Sequence, residues 1–104
     1  MKFSIFGVYM GKIICAANPG GPEVLELREK ILGNPGPNEV LIKQTKIGLN
    51  FLDVYQTSGL YPFPENDVFI PGNEAAGEVI SVGENVKDLK ISDRVAYAMV
   101  VGSF

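Results

Sequence analysis

The sequence predicts a mainly β fold, a partly closed barrel carrying one short helix, and three observations carry that expectation. Short segments of alternating or β-branched residues recur along the chain, and clusters of Gly, Pro and Asn separate them. Only one stretch combines helix-capping residues with room for a turn or two of helix.

Taken in order, the first strand is expected over Lys12-Ile13-Ile14-Cys15-Ala16, ending at the loop Asn18-Pro19-Gly20-Gly21-Pro22. Val24 to Glu29 alternates well enough for a second strand. Gly33-Asn34-Pro35-Gly36-Pro37 closes it, because proline cannot donate to a ladder. Glu39 to Gly48 is the longest strand candidate and holds enough β-branched residues to favour a pleated surface. Asn50 can then cap a helix over Leu52 to Ser58 by accepting a backbone N–H bond. Asp53 suits the positive end of that helix and is read as structural, and Gly59 can stop it in a left-handed conformation. After the proline-rich Tyr61-Pro62-Phe63-Pro64 and the Ile70-Pro71-Gly72 turn, strands resume at Gly77 to Gly83 and at Arg94 to Ala98. The polar stretch from Glu84 to Ser92 is an exposed connection between them.

The chain's 104 residues suffice for one domain and not for a second independent one. With 46% hydrophobic and 20% charged residues, the composition is that of an ordinary globular protein. A net charge of -3 with scattered Lys and Arg argues against a nucleic-acid partner. The single cysteine, Cys15, can form no internal disulfide and reads as a small buried hydrophobe. The absence of histidine removes the usual general base and the usual zinc ligand together. Near the N-terminus, Lys2 precedes an apolar run from Phe3 to Met10, but Lys12 interrupts any signal-peptide pattern. No run is long enough to span a bilayer, so a cytoplasmic location without membrane partners is expected.

Four segments in order then resemble a known family. They are Gly20-Gly21-Pro22-Glu23-Val24-Leu25, then Ile47 to Tyr55 running on to Ser58-Gly59-Leu60-Tyr61-Pro62, then Pro71-Gly72-Asn73-Glu74-Ala75-Ala76-Gly77, and Asp93-Arg94-Val95. Together they resemble the N-terminal GroES-like (catalytic) domain of medium-chain dehydrogenases/reductases, in the zeta-crystallin-like NADPH:quinone oxidoreductase branch. The resemblance runs from Met10 to Tyr97. It implies a GroES-like domain over residues 10–104, incomplete at its C-terminus, where Gly102-Ser103-Phe104 looks like the start of the next strand. Residues 1–9 are then an extension of uncertain status.

The resemblance also implies a division of labour. Zinc-dependent relatives place Cys at the position of Asn50 and His at that of Asn73, and neutral amides are poor substitutes in a tetrahedral zinc site, so no zinc is expected. The helix beginning at Asn50 would line the cleft that receives the nicotinamide end of NADPH, with Asn50, Phe51 and Tyr55 at the cofactor and Tyr61 in the pocket for a quinone-like substrate. For isolated tyrosines an ordinary surface position is equally open, and a helix cap alone would explain Asn50. Glu74 would pair with an arginine, Arg94 being one candidate, or face the cleft. Ser92 stands where the family has glycine, which strains the turn if φ is positive there.

No Gly-x-Gly-x-x-Gly turn occurs in the sequence, so a Rossmann domain that grips most of the NADPH is expected elsewhere, in a missing or separately encoded part. The function the resemblance implies is that of a fragment of a zinc-independent quinone oxidoreductase, inactive alone, with a homo-oligomer among the partners it allows. The alternative is a non-enzymatic GroES-like barrel remnant, or one subunit of a split reductase.

Overall fold

The computed structural model describes residues 3–5 and 8–104. Two three-stranded antiparallel sheets build the domain, in the orders β1-β2-β3 and β4-β5-β6. The strands are β1 (Phe3–Ile5), β2 (Val8–Ala16), β3 (Leu25–Leu32), β4 (Val40–Ile47), β5 (Glu74–Val82) and β6 (Arg94–Ala98), and α1 (Phe51–Thr57) lies between β4 and β5. The expected mainly β architecture with one short helix is therefore present, as a barrel whose two sheets do not close on one another.

Local chemistry explains most of the boundaries. β2 pairs with β3 from Tyr9↔Leu32 to Ala16↔Leu25, so the first strand begins earlier than the Lys12 expected from its apolar core. β1 is hydrogen-bonded to the start of β2 through Phe3↔Met10. In the apolar run after Lys2, that lysine together with Phe6 and Gly7 lies outside the described residues. Pro22–Val24 forms a 3-10 turn, with the fixed φ of proline at its first position, and delivers the chain into β3. β5 starts at Glu74 rather than Gly77, because Ala75 and Ala76 pair with β4 despite alanine's low strand preference.

The β4–β5 pairing carries register shifts between Leu41 and Ile42 and between Gln44 and Lys46. Gly77 sits in that irregular ladder, where a Cβ would stand 2.1 Å from the carbonyl oxygen of Lys43. Only glycine lets the two backbones cross so closely.

The sheets meet where β2 passes the segment before β5. Ala16 and Phe69 exchange backbone hydrogen bonds of 2.9 Å in both directions. The Gly102–Phe104 segment, which the sequence reads as the start of a strand, bonds on both sides: Phe104 N–H donates to Pro71 O at 2.9 Å, and Ile14 N–H donates to Phe104 O at 3.1 Å. The buried apolar residues among those described include Cys15, Ala16, Pro71, Ala75 and Val79. Cys15 is the buried small hydrophobe expected of it. Ser92 has φ +79°, so a non-glycine residue does occupy a left-handed position there.

Candidate functional site: the two faces of the α1 helix

The site is built on α1. Asn50 holds the N-cap with an extended backbone (φ −130°, ψ 158°). Asp53 reaches back to it, its Oδ2 accepting the Asn50 N–H at 2.8 Å, while the Asp53 N–H donates to the Asn50 carbonyl at 3.0 Å. At the other end, Leu60 N–H donates to Tyr55 O at 3.2 Å and Gly59 N–H to Gln56 O at 3.3 Å, the paired bonds of a Schellman motif. Gly59 has φ +90°, and a Cβ there would lie 2.8 Å from Pro19 Cβ. The stop at Gly59 thus serves two ends: it terminates α1 and seats the Pro19 loop, whose Gly20 N–H donates to Thr57 O at 3.0 Å.

Helical spacing sends Asp53 and Thr57 inward, and both are buried. The Thr57 hydroxyl donates to the Asp53 carbonyl at 2.7 Å. The Asp53 carboxylate receives a second donor from across the fold, the Asn73 side-chain amide, at 2.7 Å to Oδ1. The same amide nitrogen donates to Gln56 Oε1 at 3.0 Å. Asp53 is 2% exposed and Asn73 is 5% exposed, so these bonds are made out of water, where an unpaired polar group is costly. Neither described ion pair involves Asp53. Neutral amide donors and the first turn of the helix therefore balance its charge.

The outward face is apolar and open. Phe51 is 80% exposed, and Leu49, Val54, Tyr55, Leu60 and Tyr61 are exposed as well. Phe51 and Tyr55 stand one turn apart on the same side. All four residues selected from the sequence, Asn50, Phe51, Tyr55 and Tyr61, are thus exposed residues of α1 and its flanks. None of the four lines the apolar cavity of about 80 Å³ between α1 and the Gly20-Gly21-Pro22 turn, which is walled by Leu49, Asp53, Val54, Thr57 and Phe104 among others.

Glu74 and Arg94 do not pair. In the β5–β6 register Glu74 faces Ala98 and Arg94 faces Glu78, which sets the two about 13 Å apart along the strands at 3.3 Å per residue. The Glu74 side chain instead lies over Gly48, where it occupies the space a Cβ would fill. Sequence reasoning missed Gln56 and the tie between Asp53 and Asn73. The spacing of Asp53, Gln56 and Thr57 signals a shared helix face, but nothing local points to a partner twenty residues away. Among the described residues, no group of three or more His, Cys, Asp or Glu side chains gathers as a metal site. No described helix is long and apolar enough to cross a membrane.

An open barrel of two antiparallel sheets, with a capped short helix presenting an amide and aromatics at its rim, has clear relatives. The profile of the alcohol dehydrogenase GroES-like domain matches residues 36–103. A quinone oxidoreductase of Pseudomonas aeruginosa is 52% identical over 89 residues, which cover 86% of this chain and 27% of that protein. The crystal structure of the Escherichia coli quinone oxidoreductase complexed with NADPH superposes with a TM-score of 0.81 at 44% identity, over 86% of this chain and 27% of that one. That of the Pseudomonas syringae quinone oxidoreductase gives a TM-score of 0.81 at 44% identity, over 88% and 28%. The chain belongs to the alcohol dehydrogenase GroES-like domain family and is similar to the corresponding part of quinone oxidoreductases. It spans about a quarter of the length of these relatives.

Proposed function

We propose that this chain forms one wall of a zinc-independent reductase site, in which NADPH is the reductant and a quinone or related electrophile the substrate. The observation that carries this reading is the open outer side of α1 and its flanks, where the amide of Asn50 and the aromatic side chains Phe51, Tyr55 and Tyr61 are all exposed, on a helix fixed from behind by Asp53. The two quinone oxidoreductase structures that resemble the chain at 44% identity, one of them complexed with NADPH, support it.

The residues suit the nicotinamide end of the coenzyme and not its phosphates. Asn50 offers an amide that can hold a carboxamide or ribose hydroxyl by directional hydrogen bonds, and Phe51 and Tyr55 can shield the reacting face from water. Tyr61 borders the pocket for the electrophile. By contrast, Gly20-Gly21-Pro22 opens a three-residue 3-10 turn, with no following helix to cradle a pyrophosphate. The phosphate grip therefore belongs to a dinucleotide domain outside these 104 residues, on the same polypeptide or encoded separately. NADPH, when bound, supplies the hydride, and a proton from water completes the reduction to the hydroquinone. The chain's own part is positioning, which is the main demand such a site makes of protein. The donor set argues for zinc independence: Asn73 is engaged by Asp53 and Gln56, and amides are weak zinc ligands.

The test is NADPH oxidation in the presence of a quinone, measured for the 104-residue chain and for a fusion of it to the remainder of the Pseudomonas aeruginosa relative. The expected result is no turnover by the chain and chelator-insensitive turnover by the fusion. Robust turnover by the chain alone, or loss of fusion activity on chelation, overturns the reading. A well-folded fusion without turnover favours the non-enzymatic barrel instead.

A further inference from the structure

We infer that β6 is a self-association edge, along which two copies of this chain pair antiparallel about a two-fold axis at Ala96. β6 closes one side of its sheet, and β5 is its sole strand neighbour among the described residues. Register sets what faces away from β5. Glu74 and Ala76 turn their carbonyls toward the β4 side, where Glu74 O accepts the Gly48 N–H at 3.2 Å and Ala76 O the Thr45 hydroxyl at 3.4 Å. Their partners Ala98 and Ala96 therefore form non-hydrogen-bonded pairs with β5, and Arg94 opposite Glu78 follows by alternation. The backbone N–H and C=O groups of Arg94, Ala96 and Ala98 thus point outward, and among the described residues nothing takes them.

Folded proteins blunt such edges, and the other three sheet edges of this chain carry the devices that do it. β1 is three residues long, and β3 sets Glu26, Arg28, Glu29 and Lys30 along its length. β4 is interrupted by its register shifts and carries Lys43 and Lys46. β6 has none of these. It pairs with β5 without a bulge, contains no proline and bears a single charge, Arg94, at its end. It is also self-complementary. Centred on Ala96, an antiparallel copy exchanges backbone bonds at Ala96 with Ala96 and at Arg94 with Ala98. On the other face it sets Val95 against Tyr97, a β-branched and aromatic pair of the kind that stabilises sheets. No like charges meet along β6. Exposed apolar side chains extend the match: Ile91 stands three residues before Arg94 and Val101 three after Ala98. The same axis therefore brings the Ile91 end of each copy to the Val101 end of the other, a symmetry that fits a second copy rather than an unrelated partner.

The experiment is size-exclusion chromatography with light scattering on the 104-residue chain, joined to amide hydrogen exchange. An edge this short supports a weak dimer with a dissociation constant on the order of 100 μM, so the mass should rise from monomer toward dimer between about 10 μM and about 1 mM. Over the same range, exchange should slow at the N–H groups of Arg94, Ala96 and Ala98. It should stay unchanged at those of Val95 and Tyr97, which β5 already holds. Ala96→Pro deletes an outward N–H and no bond to β5, so the chain should stay folded while the dissociation constant rises about tenfold. Should that variant fail to fold, the exposed position takes a charge instead. Ala96→Lys and Ala96→Glu should each self-associate about fivefold more weakly than the unsubstituted chain, and their mixture should recover the loss, because the axis sets residue 96 against itself. A chain still monomeric at about 1 mM overturns the inference, as do a dimer indifferent to Ala96→Pro, charge variants that do not rescue one another, and growth beyond a dimer. Each of these outcomes leaves the coenzyme wall standing, since α1 takes no part in the edge.

Discussion

Asp53 and Asp93 make the same local bond in opposite surroundings. Each carboxylate accepts a backbone N–H from three residues earlier, Asn50 at 2.8 Å for Asp53 and Lys90 at 3.0 Å for Asp93. Their second donors differ. Asp93 receives the Lys90 ammonium at 2.7 Å on an exposed turn, whereas Asp53 is buried and receives the neutral amide of Asn73. The contrast shows that a pairing with a full cation need not be the weightier one. Water can replace the partners of Asp93 at little cost, while nothing replaces those of Asp53.

The sharpest way to break this comparison is Asp53→Ala. It removes two hydrogen bonds to a buried carboxylate and strands the Asn73 amide, for an expected loss of about 3 kcal/mol. Urea denaturation measures it, and a loss no larger than that of Asp93→Ala would refute the contrast. A smaller effect should follow from Thr57→Val, which keeps the shape and deletes the hydroxyl bond to the Asp53 carbonyl. About 1 kcal/mol is expected by the same measurement. On the opposite face of α1, Phe51→Ser should leave stability within about 0.5 kcal/mol, because Phe51 is 80% exposed. In the fusion protein that substitution should instead raise KM for NADPH. A large stability loss would mean that Phe51 packs against the fold.

The same contrast measures how much was legible in the sequence. The helix was readable because its signals are local: Asn50 and Asp53 at the start and Gly59 at the end have chemistry that acts within four residues. The strands from β2 to β6 are readable for the same reason, from alternation and turn residues, whereas β1 lies in an N-terminal stretch not read as a strand. What could not be read is whatever depends on pairing. Of the alternatives open for Glu74, the pairing with Arg94 is removed by strand register, which local pattern does not specify and which puts Arg94 opposite Glu78. Nor could the Asn73 bond be foreseen, since the β4–β5 ladder and its register shifts decide where Asn73 arrives. The roles assigned to Asn50, Phe51, Tyr55 and Tyr61 come from family resemblance, because no local pattern marks a side chain as facing a ligand.

The turn that holds Asp93 offers a gain rather than a loss. Ser92 pays a steric penalty at φ +79° that glycine would not, while its N–H donates to Val79 O at 2.8 Å in either case. Ser92→Gly relieves that penalty and adds freedom to the unfolded chain, so the two effects partly cancel. A net stabilisation of up to about 1 kcal/mol is expected in thermal unfolding. A destabilisation would show that the added freedom of the unfolded chain outweighs the relieved backbone penalty.

The smallest effect belongs to the carboxyl of Asp93 itself. The Lys90 ammonium, and after it the Lys90 backbone N–H, hold that carboxyl below its ordinary value. A carboxyl lowered in the folded state binds fewer protons there than in the unfolded chain, so its contribution is present above the ordinary value of about 3.9 and fades as pH falls through the folded one. Asp93→Asn should therefore flatten the stability profile only below about pH 4. Because the pair is exposed, the flattening should shrink in high salt, which screens the ammonium and spares the backbone bond. Stability against pH in low and high salt reads both. A salt-independent slope would assign the lowering to the backbone N–H, making Asp93 a closer counterpart of Asp53 than its exposure implies.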